Sequence, residues 1–476
     1  MGSRGRWSLA AGTVVVLLGV VASLAWDGEA PGRQQTRARS SPSPSVYEGS
    51  IVTPLNDLAT RKELKTCYRP SVALSEPEVG AQREFDANEQ FRYVAQRVEK
   101  LRGLPYRSQL LPVYVTDKEI RERLRSDLYA TYPRRHADQE EIILRMLGAV
   151  RGGPLDLRLL TLSSTASNVL GLYLAGTKEL LVRYLSDTEW LSAAEEAVLA
   201  HEAEHALADQ AFGLPGNLRV RMSKRDERTA WSAVIEGDAQ ITAAQYVRSS
   251  MTPQRRAEYR NDDELEPVPV VRGASPSTRS PYLITQGAFP YAAGERFVCS
   301  VYLRGGWDAV DKLYKDPPKS TAEILYPSRY ENGEEAEDPR DPRVPSGWKE
   351  APLHDLGALD LLLLFEAPGA YKNRSMTEPF IRASAWNGGE VHVYRRGPRT
   401  AMAVDLVEHP DAVLPLCASF NALYRVSFPI ERELTRQPHE RFAIENRWGA
   451  AVLRCRKDEV RLAVAPQVSL AHSLAR

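Results

Sequence analysis

Cysteine and net charge are both scarce in this sequence, and each shortage excludes a class of protein. Its 476 residues include four cysteines, which are too few for a disulfide-built scaffold and are not spaced as the CxxC pairs of a metal site. Basic and acidic side chains number 62 each, so the formal net charge of zero predicts no nucleic-acid partner. The 43% of hydrophobic and 26% of charged residues are ordinary for a folded globular protein.

Long apolar runs are scarce as well, and the exception lies at the N-terminus. The uncharged stretch from Leu9 to Trp26 follows Arg4 and Arg6. Eighteen helical residues span roughly 27 Å, close to the ~30 Å thickness of a bilayer core. We therefore expect residues 1–26 to form a signal anchor, which makes a single-pass protein of the cell membrane with an extracytoplasmic body. The small-x-small triplet Ser23–Ala25 leaves secretion after signal cleavage as the alternative.

Two further features fit a body outside the cytoplasm. Residues 27–50 are rich in Pro, Ser and Arg and nearly free of large aliphatic side chains, which predicts a flexible linker. The four cysteines allow two disulfides in three possible connectivities. We favour a bond between Cys417 and Cys455, because both lie in the C-terminal segment, and four buried thiols are the alternative.

The body beyond the linker mixes helical and strand patterns, so the sequence predicts an α+β fold. Apolar residues recur at helical spacing over 82–102, and a strand-like run at 110–115 follows. Two β-prone runs, 169–174 and 179–185, flank a Gly-containing turn and predict a hairpin. The C-terminal segment predicts an α/β arrangement, with two strand regions and one helix between them, at 390–407, 442–465 and 411–425.

The most informative stretch is a helix whose two ends are marked in the sequence. Ser192 and Glu195 form a capping box, and Gly213 is a suitable C-terminal cap, so about 20 helical residues lie between them. Small and apolar residues surround its polar groups and predict that the helix is buried: Ala197, Val198, Ala200, Ala203, Ala206, Leu207 and Ala208.

This helix carries the pattern HExxH. His201 and His205 lie about 40° apart around the helix axis and ~6 Å apart along it, so both imidazoles can reach one Zn²⁺ ion. Glu202 points beside them, where a general base would take a proton from metal-bound water. The metzincin extension would require Gly at 208 and His at 211, and Ala208 and Ala211 exclude that subclass. Two solvated or structural histidines are the alternative.

A hydrolytic zinc site needs a third protein ligand, and Glu236 is the best candidate. It interrupts an apolar stretch of a second helix, whose start we place at Ser223 with Asp226 as its capping partner. Asp238 and Asp209 are candidates for orienting a ligand histidine, or else surface acids.

The segments HEAEHALADQ (201–210) and VIEGDAQ (234–240) resemble a family of largely uncharacterised bacterial HExxH proteins of the gluzincin type. That family reads HE-x-x-HALQDQ, with a later EGDA that carries the third ligand. Further matches occur in the same order along the chain, at Leu101–Pro105, Leu111–Val115, Leu170–Tyr173, Tyr291–Gly294, Gly305–Trp307, Pro317–Thr321 and Ala385–Gly389.

The resemblance implies a zincin-like metallopeptidase core, with a mixed sheet, the HExxH helix and a second helix that bears the glutamate. We assign this core to residues 51–350 and an α/β C-terminal segment to 351–476. In gluzincins an edge strand above the zinc pairs with the substrate backbone, and 179–185 is our candidate for it. A strand that merely closes the sheet is the alternative.

One departure from the family pattern concerns catalysis. The family typically shows His where this chain has Tyr326, and a hydroxyl at that place would be able to stabilise the oxyanion. A buried packing tyrosine is the alternative. Ala208 replaces a Gln of the family on the back of the helix, where we expect the change to be tolerated.

Together these features predict a membrane-anchored, extracytoplasmic zinc metalloendopeptidase that acts on protein or peptide substrates. His201, His205 and Glu236 would hold one Zn²⁺ ion, Glu202 would be the general base, and Tyr326 is a candidate catalytic residue. The alternative is a catalytically silent zinc-binding protein or a non-enzymatic envelope interaction protein.

Overall fold

The computed structural model describes residues 58–476 except for 73, 75–86, 154, 169–170, 184–190, 216–223, 264–279, 341–343, 353, 371–374 and 447–448. The fold is mixed α and β, as predicted. The expected membrane anchor and linker lie outside the described residues. Among the helices that the structure describes, none is long and apolar enough to span a membrane.

The described residues up to 332 are mainly helical. Its helices are α1 (Arg61–Cys67), α2 (Ala87–Arg102), α3 (Asp117–Thr131), α4 (Arg134–Met146), α5 (Leu157–Asn168), α6 (Ala193–Phe212), α7 (Arg225–Ser250), α8 (Pro253–Asp263), α9 (Pro281–Leu313), α10 (Thr321–Leu325) and α11 (Pro327–Asn332). One small sheet lies among them, formed by β1 (Pro112–Val115), β2 (Gly171–Leu174) and β3 (Glu179–Arg183).

The predicted hairpin is confirmed, but its second strand is not at the sheet edge. β2 and β3 pair antiparallel, and β1 adds to the other side of β3 in parallel, with Pro112 opposite Leu180. β3 is therefore the central strand, and the expectation that 179–185 forms the edge is wrong. The pairing with β1 joins segments almost 70 residues apart, and local patterns do not reveal such pairing. β2 is the edge strand that contacts α6.

The long helices α7 and α9 pack backbone to backbone. A Cβ atom added at Gly237 of α7 would lie 2.3 Å from the carbonyl oxygen of Gly294 on α9. A Cβ atom at Gly294 would in turn lie 2.1 Å from the carbonyl oxygen of Ala233. Only residues without a Cβ allow this approach, which fixes the position of α7 in the core.

The start of α7 differs from the prediction. Ser223 lies outside the described residues, and the helix begins after Lys224, which makes no side-chain capping bond. The carboxylate of Asp355, 130 residues further along, accepts the backbone N–H groups of Arg225 and Asp226 at 2.8 and 2.5 Å. The predicted capping box therefore lies outside the described residues, and the carboxylate of Asp226 accepts the backbone N–H of Thr321 at 2.9 Å. Among the described residues, the distant Asp355 supplies the acceptor for the first N–H groups of α7.

The C-terminal part is built around an antiparallel sheet of eight strands. The strands are β4 (Lys349–Glu350), β5 (His354–Asp355), β6 (Trp386–Arg396), β7 (Arg399–Glu408), β8 (Arg432–Glu433), β9 (Glu440–Asn446), β10 (Gly449–Arg456) and β11 (Glu459–Ala465). They run in the order β4-β6-β7-β11-β10-β9-β8, with β5 also paired to β6. The helices of this part are α12 (Ala358–Glu366), α13 (Pro379–Ala383), α14 (Leu416–Ser427) and α15 (Val468–Leu474), with a short 3₁₀ turn at Pro368–Ala370.

The two faces of this sheet bury different helices. Phe442 and Ile444 of β9 belong to the core that includes residues of α14. Ala443 of the same strand belongs to a separate cluster with Leu474 of α15. The alternation follows from the two-residue period of a strand, and the core on the α14 face continues into the helical part of the chain.

Both disulfides that four cysteines allow are present. Cys417 of α14 is bonded to Cys455 of β10, which confirms the favoured pair. Cys67 of α1 is bonded to Cys299 of α9, and no free cysteine remains. The second bond ties the start of the described chain to the helix that packs on α7.

Candidate metal centre

Helix α6 begins and ends where the sequence predicts. The Ser192 hydroxyl accepts the backbone N–H of Glu195 at 3.2 Å, and the Glu195 carboxylate accepts the backbone N–H of Ser192 at 2.7 Å. Gly213 ends the helix in the left-handed conformation, with φ of 76°. The capped helix packs against β2 and α7, which bring the backbone N–H of Tyr173 and the carboxylate of Glu236 to the HExxH residues.

Three side chains converge between α6 and α7. The Nε2 atoms of His201 and His205 lie 3.0 Å apart. The Glu236 Oε2 atom lies 3.2 Å from the first of these nitrogens and 3.6 Å from the second. Ligand atoms bound tetrahedrally at Zn–N distances of 2.0–2.1 Å are about 3.3 Å apart. The group is therefore able to hold a metal ion, and among the described residues no other histidine, cysteine or acid group is arranged in this way.

The chemistry of these atoms also fits a metal ligand set. The three residues are at most 4% exposed, and neither histidine has a hydrogen-bond partner at Nδ1. Burial alone would raise the pKa of Glu236, but hydrogen bonds and charge from the two histidines outweigh it and hold the pKa below its usual value. Glu236 is thus kept as a carboxylate, the form that binds metal.

The side chain of Glu202 on α6 faces the edge strand β2. Its Oε2 atom accepts the backbone N–H of Tyr173 at 2.6 Å, while its buried Oε1 atom has no hydrogen-bond partner. Burial raises the pKa of this carboxyl group to about 7, which the neighbouring Glu236 reinforces and His201 opposes. A carboxyl group with a pKa near neutrality and a free oxygen is suited to accept and return a proton.

Gly171 of β2 allows this close approach. A Cβ atom there would lie 3.1 Å from the Cγ atom of Glu202 and 3.4 Å from a methyl carbon of Val198. The strand can therefore lie directly against the face of α6 that bears Glu202.

The acids expected to orient a ligand histidine have other partners. Asp209 accepts hydrogen bonds from the Tyr173 hydroxyl at 2.7 Å and from the Lys178 ammonium group at 2.6 Å. Asp238 accepts a hydrogen bond from Arg102 at 3.0 Å and one from the Tyr314 hydroxyl at 2.9 Å. Neither acid bonds to His201 or His205. Asp209 instead accepts the hydrogen bond that holds the side chain of Tyr173 against α6. The backbone N–H of the same tyrosine donates to Glu202.

Tyr326 is directed elsewhere. It lies between α10 and α11, where it is buried, and its hydroxyl donates a hydrogen bond of 2.7 Å to the carbonyl oxygen of Phe380. Burial raises the pKa of this phenol. The hydroxyl makes no hydrogen bond to the described residues of the metal centre, and the oxyanion role of Tyr326 stays a prediction.

Sequence reasoning missed Glu204 and Arg102. Glu204 is the residue directly before His205 in the HExxH motif. Its carboxylate is fully buried and lies 3.8 Å from the Arg102 guanidinium. Burial raises the pKa of Glu204 well above its usual value, and Asp238 adds to this while Arg102 opposes it. The only signal in the sequence was a charged residue on an otherwise Ala-rich helix.

No protein family, curated protein or solved structure matches the chain. The resemblance to gluzincin-type proteins therefore rests on the motifs themselves.

Proposed function

We propose that the protein is a membrane-anchored, extracytoplasmic zinc metalloendopeptidase of the gluzincin type. The observation that carries this proposal is the convergence of His201, His205 and Glu236 with the free carboxylate oxygen of Glu202 beside them. Three protein ligands are the number found in catalytic zinc sites, which leave a fourth position for water. An edge strand beside the HExxH helix and a second helix that bears a glutamate support the proposal of a zincin-like core.

The chain's own residues divide the chemistry between them. His201, His205 and Glu236 would hold Zn²⁺, which lowers the pKa of a bound water towards ~7 and polarises a carbonyl group. Glu202 takes the proton from the attacking water at its free Oε1 atom and returns it to the leaving amine. The Tyr173 N–H holds the other oxygen, so the carboxylate keeps one orientation during both transfers.

Substrate recognition would use the edge of β2. This strand is the outer one of the small sheet and lies against α6, so a peptide that adds to it would pass along the helix that carries Glu202. The proposal replaces 179–185 by Gly171–Leu174 as the strand that binds substrate.

The proposed location is supported by two features of the chain. An uncharged run of eighteen residues near the N-terminus has the length of a membrane span. The two disulfides are typical of proteins outside the cytoplasm, where thiols are oxidised.

One observation favours a second candidate, a zinc-binding protein without catalysis. The three ligand residues and Glu202 are each at most 4% exposed, whereas a catalytic zinc site must leave room for a peptide at its fourth position. The ligand number supports the peptidase, and the burial supports this alternative.

Metal analysis combined with cleavage of casein and a fluorogenic peptide library separates the two. We expect the full-length chain to bind one zinc per molecule and to cleave peptides. Glu202→Gln should keep the zinc and lose about 100-fold or more in kcat/KM, because a general base contributes roughly 10²–10⁴. Glu196→Gln is the matched control, since this buried glutamate lies on α6 but bonds to Tyr246 and Arg255 instead. It should retain cleavage.

Each outcome decides between the candidates. Equal turnover by the wild type and Glu202→Gln would exclude the proposed mechanism. One zinc per chain with no turnover would favour the non-catalytic zinc protein, and a chain that binds no zinc would exclude both.

A further inference from the structure

A buried donor and a buried acceptor face each other behind the metal centre without a hydrogen bond. The Nδ1 atom of His205 has no hydrogen-bond partner, and neither has either carboxylate oxygen of Glu204. The Glu204 Oε2 atom lies 3.7 Å from that nitrogen. Buried polar groups are normally hydrogen-bonded, so this pair is incomplete.

Arg102 holds Glu204 on the side away from the histidine. This last residue of α2 is 2% exposed, and its guanidinium lies 4.1 Å from the centre of the Trp307 ring. Its Nε atom is 3.0 Å from Asp238 and 3.8 Å from the Glu204 Oε1 atom, and one terminal nitrogen is 2.8 Å from Asp311. Asp238 and Asp311 accept the close contacts of the guanidinium, and the Glu204 oxygens remain available.

The histidines need such an acceptor only when they bind metal through Nε2. A ligand histidine then carries its proton on Nδ1, and a carboxylate that accepts this proton fixes the tautomer and the ring orientation. In the structure the two Nε2 atoms face each other at 3.0 Å, so Nδ1 of His205 is the atom left to face Glu204.

We propose that Glu204 is a positioning residue of the metal centre, which accepts the Nδ1–H of His205 and so sets the affinity for zinc. The inference rests on the metal centre of the proposed function but not on peptidase activity. It assigns a role to a residue inside the HExxH motif that is neither a ligand nor the base, and it makes Arg102 the group that keeps Glu204 in place.

Zinc affinity of the metal-free, full-length chain tests this role, measured by competition with a chelator. We expect Glu204→Met to weaken zinc binding about 10- to 100-fold, the usual effect of losing such a partner. Glu204→Gln should lie between the wild type and Glu204→Met, because its amide oxygen still accepts a hydrogen bond without the charge. The visible absorption of the Co²⁺-loaded chain should shift in the same order.

Thermal unfolding of the metal-free chain distinguishes positioning from simple damage. Both Glu204 variants remove a buried carboxyl group that has no hydrogen bond and leave Arg102 its close contacts with Asp238 and Asp311, so their unfolding temperatures should equal or exceed that of the wild type. Glu196→Gln, on the same helix, breaks a buried ion pair with Arg255 and should lower the unfolding temperature while zinc affinity stays unchanged.

Wild-type zinc affinity in Glu204→Met would overturn the proposal, as would an equal loss of affinity in Glu196→Gln. If Glu204→Met does not fold, the isosteric Glu204→Gln decides alone, and unchanged affinity and Co²⁺ absorption would then overturn it. If the wild type binds zinc but does not cleave peptides, the proposed peptidase function is excluded. The zinc affinities of the Glu204 variants then still decide the role of Glu204. A wild type that binds no zinc overturns both.

Discussion

The buried histidines of the C-terminal sheet and those of helix α6 meet their carboxylates in different ways. In the sheet, the Nδ1 atom of His392 lies 2.6 Å from a carboxylate oxygen of Glu350. The Nδ1 atom of His472 on α15 lies 2.7 Å from a carboxylate oxygen of Glu440. Each of these histidines has a carboxylate of its own, which satisfies one buried ring nitrogen.

On α6 two imidazoles share one carboxylate. His201 and His205 direct their Nε2 atoms at each other and at Glu236, and their Nδ1 atoms have no hydrogen-bond partner. Burial of a histidine beside an acid is thus common to both regions, whereas convergence of several ring nitrogens on one point occurs only on α6 among the described residues. Convergence, rather than burial, distinguishes the candidate metal centre from ordinary packing.

The largest effect should come from removing the charge behind the centre. Arg102→Met would leave Glu204 and Asp238 buried without their counter-charge, and we expect the free energy of unfolding to fall by about 3–5 kcal/mol. Denaturant unfolding of the metal-free chain measures this. Arg461→Met is the matched variant in the sheet and should cost less, because this arginine forms an ion pair with one acid, Asp405, and a hydrogen bond to the carbonyl oxygen of Arg340. Equal losses would mean that the two regions do not differ in buried charge.

The pH dependence of stability should also differ between the regions. Burial raises the pKa of Glu202 from 4.5 to about 7, so the folded metal-free chain keeps a proton that the unfolded chain releases. The contribution of protonated Glu202 to the free energy of unfolding is complete below pH 4.5 and is lost as the pH rises to about 7. The loss is on the order of 3 kcal/mol.

Subtracting the stability of Glu202→Gln from that of the wild type at each pH isolates this contribution. In the sheet, burial raises the pKa of Asp405 from 3.8 to about 6, and Arg461 opposes the rise. The corresponding difference for Asp405→Asn should therefore level off near pH 6, about one pH unit earlier than for Glu202. Coincident curves, or a Glu202 difference that is flat between pH 4.5 and 7, would contradict the expectation.

A smaller effect should follow from separating α7 and α9. In Gly237→Ala the new methyl group meets the Gly294 carbonyl oxygen, and we expect the free energy of unfolding to fall by roughly 1–3 kcal/mol, despite the better helix propensity of Ala. Zinc affinity should fall as well, because Glu236 is the adjacent residue. Gly287→Ala on α9 is the control, since nothing lies within 4 Å of its Cβ position, and it should be neutral or stabilising. The same loss in both variants would exclude the steric explanation.

The smallest effect concerns the ion pair that helps to fix the edge strand. The Lys178 side chain is 58% exposed and bonds to the buried Asp209. Lys178→Met should lower the free energy of unfolding by about 0.5–1 kcal/mol, as for other partly exposed pairs. Lys118→Met removes a fully surface pair with Glu122 and should have an even smaller effect. A larger loss for Lys118→Met would show that Asp209 does not depend on its lysine.

The ligands of α6 could be predicted from the sequence because the information is local. A helix with marked ends fixes the angle between His201 and His205, whatever the rest of the chain does. Glu236 was found by a similar argument, since a carboxylate within an apolar helical stretch needs a buried partner. The disulfide of the C-terminal segment followed from two cysteines 38 residues apart.

The errors all concern contacts between distant segments. β1 joins β3 and makes it the central strand, and the distant Asp355 accepts the backbone N–H of Arg225 at the start of α7. Arg102 is the last residue of an amphipathic helix, where a charged side chain usually meets solvent. Its burial beside Glu204 depends on how α2, α6 and α7 pack together. No local sequence pattern indicates that packing.

The cap of α7 by Asp355 has a consequence for how the protein is made. Synthesis delivers both histidines and Glu236 to the growing chain well before Asp355, which follows Arg225 by 130 residues. Until then the first N–H groups of the helix that bears Glu236 lack their acceptor. We therefore expect an unfinished chain to hold every ligand of the metal centre without holding the centre itself. The centre should then be completed only after Asp355, on strand β5 of the C-terminal sheet, has been made.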